Sequence, residues 1–426
     1  MQHPRGIDLL AALAAAAGAA LAVEAWFAGS LFRYVLAGLV AGGALGVPAL
    51  SILLLRDRAR RFWRRCLFAF VPLLLLLLLA EVGLRWFGPA PPPPEVLVED
   101  ARLGHAFAPG SGSLDAWGFR NERVPERVDA LFVGDSQTFG FFVDRDEAFP
   151  ALFARATGRT SYQMANGGYG GVHYRELVRR GLALHPQLVV VGFYFGNALF
   201  DAIAGAGLDG AEDLRAPGRT YARPRNPELD GMASPNWTMA LLDALQAHSR
   251  LLGAAGEVVK SRLRGGAGGL DAQPGAVPFA DAKVGTVLLP DYRRPAVDLG
   301  NQGIADGLRI SVQCLRDIGA ACREHGARCL VLAIPTKEFA YAEWQRRGGK
   351  PLAALEALRT AEQGVRDRLF AAIAADPGLQ LVDLAEPCIA ALAAGTPIWA
   401  GNGDGHIMRE GHRAAAAAVA AAAAKH

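Results

Sequence analysis

The chain has 426 residues, 52% of them hydrophobic, and a formal net charge of only +3. With no basic stripe interleaved with aromatic residues, nucleic acid is excluded as a partner. The length suffices for one large domain with extras or two modest ones, and the apolar excess sits in the first ninety residues, which points to membrane segments rather than to a greasy core.

Three apolar stretches come first: Leu9 to Phe27, Tyr34 to Leu55 and Cys66 to Leu84, each about long enough to span a bilayer as a helix. Six arginines (Arg56, Arg58, Arg60, Arg61, Arg64 and Arg65) separate the second from the third and should stay cytoplasmic. Trp26, Trp63 and Trp86 fall near the expected interfaces. Residues 1–88 therefore read as an anchor of three transmembrane helices in a bacterial inner membrane, with the N-terminus cytoplasmic and everything after Leu84 periplasmic. A cleaved signal peptide competes for the first stretch, but no small-x-small site precedes a polar start there. Residues 89–116, opening with Pro89-Ala90-Pro91-Pro92-Pro93-Pro94, read as a stiff linker.

From residue 129 strands and helices alternate. Strands are expected at Ala130–Val133, Ser161–Ala165, Leu188–Phe195, Cys329–Ile334 and Leu379–Val382, and helices at roughly 148–157, 173–185, 305–324, 352–376 and 411–424. Short apolar strands without alternation, separated by helices, imply an α/β fold: a doubly wound parallel sheet in three layers, with the chemistry on one edge. Residues 201–304 break the rhythm and read as an irregular insertion within a domain 117–426, either a lid or substrate wall or partly disordered. Of five cysteines, Cys314, Cys322, Cys329 and Cys388 lie in the C-terminal part without Cys-x-x-Cys spacing, so disulfides and buried free thiols both stay open.

The chemistry-bearing residues fall at strand ends. Ser136 follows the first strand in Gly134-Asp135-Ser136. The second strand ends in Asn166-Gly167-Gly168-Tyr169-Gly170-Gly171, and the third in Gly196-Asn197-Ala198. Gly403-Asp404-Gly405-His406 precedes the last helix. A serine nucleophile needs a base, a group that orients the base, and donors for an oxyanion; glycine N–H groups and an asparagine amide supply the last. In this order the blocks resemble the SGNH (GDSL-type) hydrolase superfamily, over roughly residues 117–200 and 325–420. The flanks Gly118-Phe119-Arg120 and Pro335-Thr336-Lys337-Glu338 look like a membrane-anchored bacterial branch of it.

The resemblance implies a flavodoxin-like sheet, a triad of Ser136, His406 and Asp404, and an oxyanion hole from Ser136, Gly171 and Asn197. Lys337 and His173 are candidate substrate-binding residues; no metal or cofactor is expected. The family's third block usually has Asp after the asparagine, where this chain has Ala198, and its Asp often precedes the His by three residues, where this chain has Gly403. His412 is a rival base, placed inside the last helix and so read as a packing residue. The implied activity is an extracytoplasmic serine esterase removing acyl groups, O-acetyl first, from a cell-envelope glycan. The alternatives are an O-acyltransferase with the same triad and a catalytically weak glycan-binding subunit of an export complex, and polysaccharide-export proteins are possible partners.

Overall fold

The computed structural model describes residues 72, 76–77, 79–87, 95–222, 271, 273–281 and 283–425. The chain divides into two compact units: residues 1–90 with 246–253, and residues 91–245 with 254–426. In the first, residues 79–87 are helical, with an Arg85–Glu81 ion pair one turn apart at 2.7 Å. Nearly all of the three apolar stretches lies outside the described residues, and no helix among those described is long and apolar enough to cross a membrane.

The second unit is an α/β fold around a parallel sheet. A hairpin comes first: β1 (Leu97–Asp100) pairs antiparallel with β2 (Gly104–Phe107). Then come β3 (Ala130–Gly134), β4 (Ser161–Ala165) and β5 (Leu188–Tyr194). A second antiparallel hairpin, β6 (Val277–Ala280) with β7 (Gly285–Leu288), precedes β8 (Arg328–Ile334) and β9 (Leu379–Asp383). The central sheet runs β4-β3-β5-β8-β9, every neighbouring pair parallel. Counted along the chain this is order 2-1-3-4-5, the flavodoxin-like winding, whose switch point lies between β3 and β5. Ligands in such sheets bind outside the strand ends at that point, which is where Ser136 and Asn197 emerge.

Alternation along the strands sorts the two faces, because successive side chains point to opposite sides of a sheet. Leu131, Val133, Val189, Val191, Cys329 and Val331 pack under the helices Gly171–Gly181, Gln302–Glu324 and Glu356–Ala374. Ala130, Phe132, Val190, Leu330 and Leu332 pack under Phe149–Thr157, Lys337–Arg347 and Arg409–Ala423. On that face Phe132 meets Phe149 and Phe153 edge-on at 5.7 and 5.3 Å, contacts worth about 0.5–1.5 kcal/mol each beyond area burial.

Two expectations change here, and one open alternative closes. The linker is part of the domain from residue 95: Tyr169 Oη donates to His105 O at 2.8 Å, tying the β1–β2 hairpin to the loop after β4. The insertion 201–304 is not uniformly irregular. Its first residues close the helix Ala198–Gly205, and its last third folds as the β6–β7 hairpin and the turn of helix Pro290–Arg293, while 223–270 lies outside the described residues. The cysteines Cys314, Cys322, Cys329 and Cys388 are all buried free thiols.

Candidate active site

β3 runs into a tight turn that presents Ser136 as the first residue of the helix Ser136–Phe139. Asp135 caps that helix, its Oδ1 accepting from Gln137 N–H at 3.0 Å. A side chain at Gly134 would run into Thr138, so glycine is required there. Arg120 pins the far side of the turn, donating to the carbonyls of Phe139, Gly140 and Val143 at 3.1, 2.7 and 2.9 Å.

The loop before the last helix brings His406 to this serine across 270 positions: His406 Nε2 lies 2.9 Å from Ser136 Oγ. His406 Nδ1 lies 2.7 Å from Asp404 Oδ1, which also accepts from His406 N–H at 2.8 Å. With the carboxylate taking Nδ1–H, Nε2 is left to accept the serine proton. Burial pushes the Asp404 carboxyl up, but the bonds from His406 and the nearby Arg293 guanidinium outweigh it and hold it below its ordinary value.

Gln137, which the sequence reading passed over, joins the two halves. Its Nε2 donates to Gly405 O at 3.1 Å, and its Oε1 accepts from Ile407 N–H at 3.0 Å. The residue after the serine thus grips the residues on both sides of the histidine.

The candidate oxyanion residues divide. Asn197 stands at the N-cap position of the helix Ala198–Gly205, just after β5, without a side-chain capping bond, and its side chain lies by the Asp135 carboxyl next to Ser136. Gly171 instead heads the helix Gly171–Gly181, and a Cβ there would face Ser311 and Cys314 at 3.2–3.4 Å. The glycine that borders Ser136 is Gly167, whose Cβ would stand 4.0 Å from the serine's and against the Phe141 ring. Gly171, five residues beyond Asn166, is thus the first residue of its helix, and the candidate donor there is a first-turn N–H.

Both candidate substrate-binding residues are enclosed. Lys337 is 0% exposed. Its Nζ donates to the carbonyls of Ala400 (3.4 Å), Asp404 (3.2 Å) and Asn402, so it is an internal strut for the loop that carries the triad acid. Burial draws its ammonium down to about 8. His173 is 2% exposed, accepts Gly170 N–H on Nδ1 at 3.0 Å and stacks on Tyr169 at 4.7 Å. Burial pulls its pKa down to about 3, so it stays neutral inside the fold. His412 likewise packs, accepting Phe149 N–H at 3.2 Å and stacking on that ring.

Around the serine the rim is aromatic. Phe142 and Phe141 stand 5.0 and 6.3 Å from the His406 ring, and Phe141 is 44% exposed. Beneath lie acids: burial pushes Asp135 up to about 6 and Asp201, one helical turn beyond Asn197, up to about 7.

The sequence matches no family model and no curated protein. Among solved structures, the chain is similar to a GDSL-like lipase from Bacteroides thetaiotaomicron, at 11% identity over 70% of this chain and 91% of that one, with a TM-score of 0.30. It is also similar to a family 2 carbohydrate esterase with a carbohydrate-binding domain from Corynascus thermopiles (14% identity, 75% and 68% of the two chains, TM-score 0.31). A family two carbohydrate esterase from Clostridium thermocellum, solved with cellohexaose, is similar at 11% identity over 70% and 65%, with a TM-score of 0.29. With likeness this distant, function has to be read from the site itself.

Proposed function

We propose that the chain is a serine esterase of the SGNH type that removes acyl groups, O-acetyl first, from a glycan on the outer side of the bacterial inner membrane. The observation that carries this reading is the continuous relay Ser136 Oγ–His406 Nε2 at 2.9 Å and His406 Nδ1–Asp404 at 2.7 Å.

His406 takes the Ser136 proton as Oγ attacks the ester carbonyl, and the imidazolium that forms faces Asp404. The charge developing on the carbonyl oxygen meets the Ser136 N–H, free as a first-turn amide, and the Asn197 amide. Gly167 leaves room on the third side. His406 then protonates the departing sugar hydroxyl, and water repeats the sequence to free the acid. Export of the domain rests on the arginine-rich loop between the second and third apolar stretches, and polysaccharide-export proteins are the partners that such an anchor would meet.

The test is labelling of the full-length protein with a fluorophosphonate, followed by release of acetate from acetylated polysaccharides. Wild type is expected to label and to release acetate. Ser136→Ala should lose the label and at least three orders of magnitude in turnover. Unchanged turnover in Ser136→Ala would end this reading.

A further inference from the structure

Arg293 ends the short helix Pro290–Arg293 inside the 201–304 insertion, and its guanidinium enters the triad loop. Its Nη2 lies 2.7 Å, and Tyr194 Oη 2.9 Å, from the point where a Cβ of residue 405 would stand, so glycine between Asp404 and His406 is what admits them both. Among the described residues Arg293 makes no hydrogen bond or ion pair: its Nε is buried without an acceptor, as is Tyr194 Oη. Arg366, which is buried, bonds to Asp383 through Nη2 at 2.5 Å, although its Nη1 also lacks an acceptor. Only Nε of Arg293 is sealed off, so its two Nη groups stay accessible. An arginine held against the triad loop, between Asp404 and His406, with its donors unspent is a receptor lacking its acceptor.

We propose that Arg293 is a specificity-determining residue, that it receives a carboxylate carried by the glycan near the scissile ester, and that the substrate is therefore an acylated acidic polysaccharide of the uronic-acid type. This rests on the esterase reading for the ester itself. A planar carboxylate matches the paired N–H edge of a guanidinium. Arg293 and Lys337 are set against the acidic Asp404 and Glu338, so the local charge is balanced and recognition rests on the paired N–H edge rather than on an excess of positive charge. Tyr292, 53% exposed beside the guanidinium, and Phe141 on the histidine side offer flat faces to the sugar rings.

The experiment titrates full-length protein with the methyl glycosides of glucuronic acid and of glucose, and measures kcat and KM on their O-acetylated forms. Wild type should bind the uronoside at least tenfold tighter, and Arg293→Met should erase that preference, with Arg293→Lys restoring part of it. In Arg293→Met the kcat/KM ratio of acidic to neutral ester should fall at least tenfold, mainly through KM. Equal binding of the two glycosides by wild type would overturn the proposal, whether or not Arg293→Met folds. So would equal losses of kcat on both esters with KM unchanged, which would make Arg293 a support for Asp404. Selective uronoside binding without hydrolysis of either ester would leave Arg293 its role and reject the esterase reading instead.

Discussion

At the scale of single residues, the site is decided by which polar groups find partners. Lys337 illustrates a chemistry-bearing residue turned inward, its ammonium spent on the backbone of residues 400–404. Lys337→Met should strand three carbonyls and loosen the loop under Asp404. We expect a loss of about 2–4 kcal/mol in stability and a lower kcat, measured by thermal melting and ester turnover. Asp201 is the opposite case, an acid with a buried, unpartnered Oδ2. Its pKa of about 7 exceeds the ordinary 3.8 because burial, and then the Asp135 charge, disfavour ionisation. Folding therefore favours the protonated form, and that contribution is lost as pH rises through about 7. Asp201→Asn, neutral at every pH, should gain on wild type from pH 4 to pH 7 by about 1–3 kcal/mol and then level off, as seen in melting curves across that range. A constant difference would mean that Asp201 is already ionised in the folded protein.

At the scale of elements, the site is a junction between the turn after β3 and the loop before the last helix. Gln137 is the fastener, bonded to Gly405 O and Ile407 N–H. Gln137→Leu keeps the volume and removes both bonds, so His406 should lose its fixed distance to Ser136. We expect kcat to fall by roughly ten- to a hundredfold with KM little changed, checked by steady-state kinetics on a small neutral ester. Elements with strong patterns were legible: all five parallel strands lie within two residues of their expected bounds. The helix Lys337–Arg347 was not, because seven successive residues from Lys337 to Glu343 are buried, charged ones included, and no apolar stripe marks it. The β1–β2 and β6–β7 hairpins escaped because four-residue strands flanked by Gly, Pro and Asp resemble loops when their partners are unknown.

At the scale of the molecule, residues 91–245 and 254–426 form one compact unit. A fragment starting at residue 91 should therefore fold alone and melt within a few degrees of the intact chain; a molten, aggregating fragment would show that the first ninety residues contribute to its core. The sequence by itself determined the parallel α/β class, because unbroken apolar runs spaced by helices admit little else, and it marked Ser136, Asp404 and His406, because their blocks close strands and loops in a recognisable order. Only the tertiary structure decided that Gly167 stands against the serine, that Lys337 and His173 face inward, and that Gln137 and Arg293 reach the loop around His406. Direction and burial of a side chain depend on neighbours hundreds of positions away, which local pattern does not encode.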